Sequence, residues 1–521
     1  MAQRTPPPNA VRERLSNGLD RFSLGLQRRL EIDLRALAAF RIALGALLLA
    51  DLLLRSRQLV TFYTDDGVLP REALFADYSP VYTLHALSGE AWVQALLFLV
   101  AGAFALAVTV GYRTRTATVV SWLLLLSLHA RNPMVLNGGD VLLRMLCFWG
   151  TFLPLGERWS IDARRIDRER STVASVATMA LLLQILLMYV TNAVHKTRSD
   201  VWTDGEALVH IFQADHLTIL LGNVLADQFE LLRAFTHVWM ALILLSPLLV
   251  LLTGYRRAVF ATLFVGMHLG MLVTLRIDLF PLIVVAGLLV FYPPVVWDGA
   301  TALAARIGVA DDCRRGLAGL QRLVPTLPVP TLPVAVAGAA PSLSSLRARS
   351  RVAFGTVLPW LVLVLVVLSN AEAVDYTEVP DPGEQVLDTV EAEQSWRMFA
   401  PEPTSTAKWL VVPGELADGT TVDARDGTAV DWDRPPNAAD TYETSRDRKY
   451  VINMRYAGNE NHRSYYANYL CDRWSRTHET ELESLTLYGL TDKARPSDDE
   501  PDVARYELLE YDCSGEFVQN E

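Results

Sequence analysis

Lysine is what this chain almost does without. Its 521 residues hold four lysines against 43 arginines. A guanidinium does not release its proton in a protein, whereas an amine near a membrane surface can be desolvated toward its neutral, basic form. Each lysine is therefore worth weighing as a chemical group. Cysteine is as scarce, with four in all. Cys147 and Cys313 stand alone, and only Cys471 and Cys513 share the polar C-terminal part, so no metal-type spacing is present. Those two are a disulfide candidate if that part faces an oxidising compartment. The sequence also lacks a phosphate-cradling glycine loop, a zinc signature and a nucleophile elbow. Met1 to Glu31 has no apolar core of the kind a cleavable leader needs, so none is expected there.

What the chain has in quantity is apolar sequence. Hydrophobic residues make up 51% and the mean hydropathy is +0.22, which places it in the membrane class. Nine apolar runs are expected to span: Leu34–Leu54, Trp92–Val110, Thr116–Leu128, Val141–Leu155, Val173–Val194, Ala234–Leu252, Ala258–Leu275, Leu279–Val296 and Val352–Leu368. Val173–Val194 is about 33 Å of helix at roughly 1.5 Å per residue, enough to cross a hydrocarbon core. Glu206 to Arg233 is interrupted by His210, Asp215, His216 and Asp227, and reads as interfacial or re-entrant helices.

Charge is divided along the chain. From Ala371 onward there are 33 acidic and 14 basic residues, a net −19, leaving +8 on the first 370. Arginine clusters in the N-terminal arm, at Arg113–Arg115, in ERWSIDARRIDRERS, at Arg256-Arg257 and from Arg306 to Arg351. Short positive loops stay cytoplasmic. The expected organisation is a cytoplasmic arm (1–33), a transmembrane domain (34–297), a cytoplasmic Pro/Ala-rich linker (298–351), a last span (352–370) and an acidic extracytoplasmic domain (371–521). The fold class is an all-α polytopic membrane bundle of about nine helices followed by a small strand-rich domain. Strand-like runs there are Trp409–Val412, Lys449–Arg455 and Leu485–Tyr488.

Polar groups inside or beside spans are costly, which makes Arg41, Asp51, Arg144, Asn192, His195, Lys196, His268 and Arg276 site candidates. The bland alternatives are interhelical bridges for the arginines, a satisfied bundle residue for His268 and a snorkelling side chain for Lys196. His210 and His216 have no further ligand in register, and no metal is assigned.

Several short motifs occur in a telling order: FRIALG with Asp51 ten residues after Arg41, GYR at Gly111–Arg113, NGGD at Asn137–Asp140, RWSID at Arg158–Asp162, AVHK followed by Trp202 and Gly205, and MHLG around His268. In this the chain resembles the HTTM (horizontally transferred transmembrane) family, the membrane part of vitamin K-dependent gamma-glutamyl carboxylase. The likeness covers about residues 34 to 300, and SWRMFAP at Ser395–Pro401 looks like the prokaryotic pattern. The resemblance implies chemistry at the outer membrane face on a reduced quinone, of vitamin K type or menaquinol. In the carboxylase a lysine after the corresponding helix is regarded as the base that deprotonates the hydroquinone, and Lys196 matches it, with His195 beside it. Arg41, Asp51, Arg144, Trp202 and His268 are the cofactor-binding candidates. The chain departs from the pattern at Gly139, where the animal enzyme has a histidine, and the propeptide and glutamate-substrate regions are not recognisable.

The expectation is an integral protein of the cell membrane, multi-pass, with the lipid bilayer and an exported protein substrate as partners and no nucleic acid. It is either a quinol-dependent enzyme of carboxylase type with Lys196 as base, or a non-enzymatic module for export, maturation or immunity of a secreted product. A transporter is disfavoured because no inverted repeat is visible.

Overall fold

The computed structural model describes residues 23–78, 83–165, 170–308, 315–316, 318–319, 352–389, 392–493 and 502–519. Most of the arm 1–33 and of the linker 298–351 lies outside the described residues. Five helices are long and apolar enough to cross a membrane: α1 (Leu34–Ser56), α2 (Ala91–Val110), α5 (Val176–Lys196), α7 (Gly254–Thr274) and Ala353–Glu372, whose regular part is α10 (Leu358–Glu372).

The other four expected runs take different forms, for local reasons. Thr116–Leu128 falls in α3 (Thr114–Arg131), which carries Arg115, His129 and Arg131 among its 18 residues, buries Thr118, Ser121 and Ser127, and is not among those five. Val141–Leu155 falls in α4 (Gly138–Gly150), whose 13 residues reach only about 20 Å. Ala234–Leu252 breaks after α6 (Phe229–Leu244), where Pro247 removes a backbone donor. Leu279–Val296 breaks at Pro293-Pro294, so α8 (Phe280–Leu288) and its last turn meet α9 (Pro294–Arg306) at 104°. Counting that bent pair as one span gives six. Glu206–Arg233 forms only short pieces before α6: Ala207–Gln213, Asp215–Leu217 and Leu221–Leu225.

α5 is the central helix. Its start is fixed by a capping box in which Ser175 and Thr178 each satisfy the other's backbone N–H. It packs against α4, α6, α8 and α10, and 67% of its apolar window is buried, against 28% for the peripheral α2. A two-residue ribbon, β1 (Ile32–Asp33) with β2 (Thr172–Val173), joins the starts of α1 and α5. Both helices therefore run in the same direction from one face.

At the far face sits the C-terminal domain, a five-stranded antiparallel sheet with two helices. The long β6 (Leu482–Lys493) pairs along one edge with β3 (Thr406–Val411) and β4 (Pro413–Leu416), and along the other with β7 (Val503–Asp512); β5 (Thr421–Asp423) extends β4. Trp409–Val412 and Leu485–Tyr488 lie in or beside strands, but Lys449–Arg455 is not a strand. It belongs to α11 (Ser445–Met454), which Thr444 caps by accepting from Asp447 N and which buries Tyr450, Val451 and Met454 at helical spacing. The second helix, α12 (Glu460–Thr477), carries Cys471, bonded to Cys513 just after β7 with Cα atoms 5.6 Å apart. One hydrophobic cluster runs through the junction, with Phe62, Tyr63, Met134 and Val135 of the bundle packed with Leu410, Tyr450 and Leu487 of the domain. The domain is thus seated on the bundle by a shared core.

Candidate functional site

The last turn of α5 leads into the site. Lys196 is 3% exposed, and its Nζ lies 3.7 Å from the centre of the Trp202 ring and 5.8 Å from that of Trp239 on α6. Among the described residues it makes no ion pair and no side-chain hydrogen bond. Trp202 is held by donating Nε1–H to the carbonyl of Phe399 at 2.8 Å. That carbonyl belongs to the SWRMFAP segment, which lies along α5. Asn192 donates to the carbonyls of Trp396 (2.8 Å) and Met398 (3.2 Å), and His195 Nε2 lies 3.0 Å from the carbonyl of Ser395. Farther along, Gln184, Gln394, Trp149 and Trp396 form a buried hydrogen-bonded chain. The segment is therefore part of the site's frame.

Lys196 faces a cavity of about 640 Å³, within the range of small-molecule sites. Its inner wall is apolar and aromatic: Met188 and Tyr189 of α5, Trp239 of α6, Met271 of α7, Phe280 of α8 and Phe399. Polar groups interrupt it, among them Tyr189 and His268. The Tyr189 hydroxyl is buried with no hydrogen-bond partner among the described residues, and its ring packs 6.2 Å from Trp239 and 6.0 Å from His268. His268 Nδ1 donates to the Phe264 carbonyl at 2.8 Å, which leaves Nε2 as an acceptor on the neutral ring. Such a wall can bind a flat apolar molecule and offer a few hydrogen-bonding groups to its polar ends.

The opposite wall is built by the C-terminal domain and is basic: Lys408 of β3, with Arg448 and Lys449 of α11. Lys408 is pushed down from the ordinary amine value by burial, helped by Arg455. Lys449 is also lowered by burial, then by Arg448. Neighbouring His216 is driven down to about 3 by burial and by Arg448, Lys408 and Arg276, and its Nδ1 has no partner among the described residues. The field on this wall is positive.

Of the candidates named from sequence, Lys196, Trp202 and His268 meet at this cavity, and Asn192 lines it. His195 is directed to Ser395 instead. Arg41 lies toward the other face, where it donates to the carbonyls of Leu155, Arg158, Thr109 and Trp159 and ties α1 to the end of α2 and to the loop after α4. Asp51 and Arg144 belong to a buried charge group at the domain junction. In it Asp51 pairs with Arg55 (2.7 Å) and Arg446 (2.7 Å), Asp140 pairs with the same two arginines, and Arg144 reaches His129. Ligand atoms of Asp51, His129 and Asp140 lie within 4.8 Å of one another. Arg55 and Arg446 already stand where a metal cation would, so this group is a salt-bridge junction. Sequence reasoning missed Tyr189, Trp239, Lys408, Arg448 and Lys449. The rarity of lysine was a signal for two of them, since Lys196, Lys408 and Lys449 are three of the chain's four lysines and all line one cavity.

No curated protein and no solved structure matches the sequence. The HTTM domain matches residues 30–297, more than half of the chain, including the helices that form the apolar wall. The apolar helices and that match together identify the chain as a membrane protein belonging to the HTTM family.

Proposed function

We propose that this protein binds a lipid-soluble reduced quinone in the 640 Å³ cavity and uses Lys196 as the base that takes its hydroxyl proton, at the outer face of the cell membrane. The observation that carries this reading is a buried amine stacked on Trp202, in an apolar cavity that also holds the Tyr189 hydroxyl, neither of them with an ion-pair or hydrogen-bond partner for its side-chain polar atom among the described residues. These residues fit such a group: the aromatic wall suits a flat ring, and Tyr189 and His268 Nε2 can bond its oxygens. The quinol, when bound, supplies the reducing equivalents and an acidic hydroxyl. The protein's part is to desolvate and orient it, to take a proton on Lys196 Nζ and to exclude water with the Phe399 segment.

In this reading the chain passes nine times, counting short and broken helices that cross inside the bundle, with the N-terminus cytoplasmic and the C-terminal domain outside. The ribbon joining the starts of α1 and α5 supports a common entry face, and the Cys471–Cys513 bond suits an oxidising outer compartment. An exported protein is the proposed substrate. One observation favours the non-enzymatic alternative in export, maturation or immunity. Gly139 stands where the carboxylase pattern has histidine, and a Cβ there would lie 2.9 Å from the capping Oδ1 of Asn137 and 3.3 Å from the Cα and Cβ of Phe280, so a histidine would require its neighbours to shift. Titration of the purified protein with a menaquinone analogue, read by tryptophan fluorescence, tests the proposal. Saturable quenching that Trp202→Ala weakens is expected; no saturable binding would leave only the non-enzymatic module.

A further inference from the structure

The two walls of the cavity ask for different chemistry from the same occupant. Three basic side chains, Lys408, Arg448 and Lys449, come from the C-terminal domain. Neither lysine has an ion pair or a side-chain hydrogen bond among the described residues. Arg448 spends its donors on the carbonyls of His216 (2.9 Å) and Arg276 (3.0 Å), so its charge is not cancelled by a bonded carboxylate. The acidic side chain in the lining is Asp278, whose charge partly offsets that of Arg448 although it forms no ion pair among the described residues. Buried charge without a partner is costly, and an anion bound there would offset it.

The apolar wall is open on one side. Gly266 and Gly270 of α7 both line the cavity, both are exposed, and a methyl group built on either would meet nothing within 4 Å. The cavity therefore reaches the flank of α7, which carries exposed Tyr255, Val259, Leu263 and Leu269 as a lipid-facing surface does. An occupant can enter sideways from the bilayer and end against the cations of the domain.

We infer that the cavity holds a membrane amphiphile with an anionic head, a carboxylate or a phosphate monoester, whose chain lies along α6 and α7 and whose head is bound by Lys408, Lys449 and Arg448. This concerns the wall opposite Lys196 and does not depend on a quinol being an occupant. Bound amphiphile also explains the placement of the lysines: an amine donates to a tetrahedral or planar oxyanion from any direction, while the guanidinium of Arg448 is already committed.

The test uses the full chain in a neutral maltoside detergent, with binding isotherms for four probes: oleate, dodecyl phosphate, dodecanol and inorganic phosphate. Oleate and dodecyl phosphate should bind at least tenfold more tightly than dodecanol, and the difference should shrink as salt rises. Which of the two binds better assigns the head as carboxylate or phosphate. The Lys408→Gln/Lys449→Gln pair should remove the advantage of the anionic probes, while Lys408→Arg/Lys449→Arg keeps it and shows that the fold tolerates change at both positions. Dodecanol affinity measured on the same Gln pair should be unchanged, which separates loss of the head contact from damage to the cavity as a whole. Equal affinity for dodecanol and the anionic probes overturns the inference. So does inorganic phosphate binding as tightly as dodecyl phosphate, because the chain would then contribute nothing.

Discussion

At the scale of single residues, the contrast is between Lys196 and its neighbour. Successive residues of a helix project about 100° apart, so when Lys196 faces the cavity His195 cannot. Lys196→Arg keeps a long cation able to stack on Trp202 but cannot take a proton. If the activity proposed here is found, that variant should fold, insert and lose roughly a hundredfold in rate, about 2.7 kcal/mol of barrier. His195→Gln should retain activity, since an amide can still donate to the Ser395 carbonyl, and should change stability by less than about 1 kcal/mol. Full activity in Lys196→Arg would rule out the base. The amine was legible in the sequence because it is a rare group at the end of an apolar helix. Its ring partner Trp239, 43 positions away, and the basic wall more than 200 positions away were not, because only packing brings them there.

At the scale of elements, the junction between bundle and domain depends on Arg446 at the start of α11. Its guanidinium donates to Asp51 Oδ1 (2.7 Å), to both oxygens of Asp140 and to the Val135 carbonyl. Arg446→Ala would leave two buried carboxylates short of donors, at a cost on the order of 3 kcal/mol. The domain should then loosen from the bundle, and limited proteolysis should cut between residues 389 and 406 faster than in the parent. Unchanged protection would mean that the hydrophobic cluster alone seats the domain. The helices with continuous apolar sequence were legible as spans, since period and length suffice for α1, α2, α5, α7 and α10. The shorter ones were not, because α3 and α4 bury polar residues against neighbours and Pro247 and Pro293 break runs that composition leaves whole. Lys449–Arg455 misled for a related reason: KYVINMR alternates like a strand over a window too short to reveal the Thr444 cap.

At the scale of the molecule, the proposed topology is checked by reporter fusions at Ser171, Ser199, Ala310 and Ser405, which should read inside, outside, inside and outside. An inside signal at Ser199 would remove Lys196 from the outer face. The Cys471–Cys513 bond closes a 42-residue separation, worth roughly 4 kcal/mol as a restriction of the unfolded chain. Alkylation without reductant should therefore leave both cysteines unlabelled, and Cys471→Ala should lower the thermal midpoint of the domain. Three of the four lysines line one cavity, and the fourth, Lys493, ends β6. A small acylating reagent that would decorate the whole surface of an ordinary protein has almost nothing else here to react with. Its mass increments, read peptide by peptide with and without ligand, amount to a built-in occupancy gauge that needs no introduced tag.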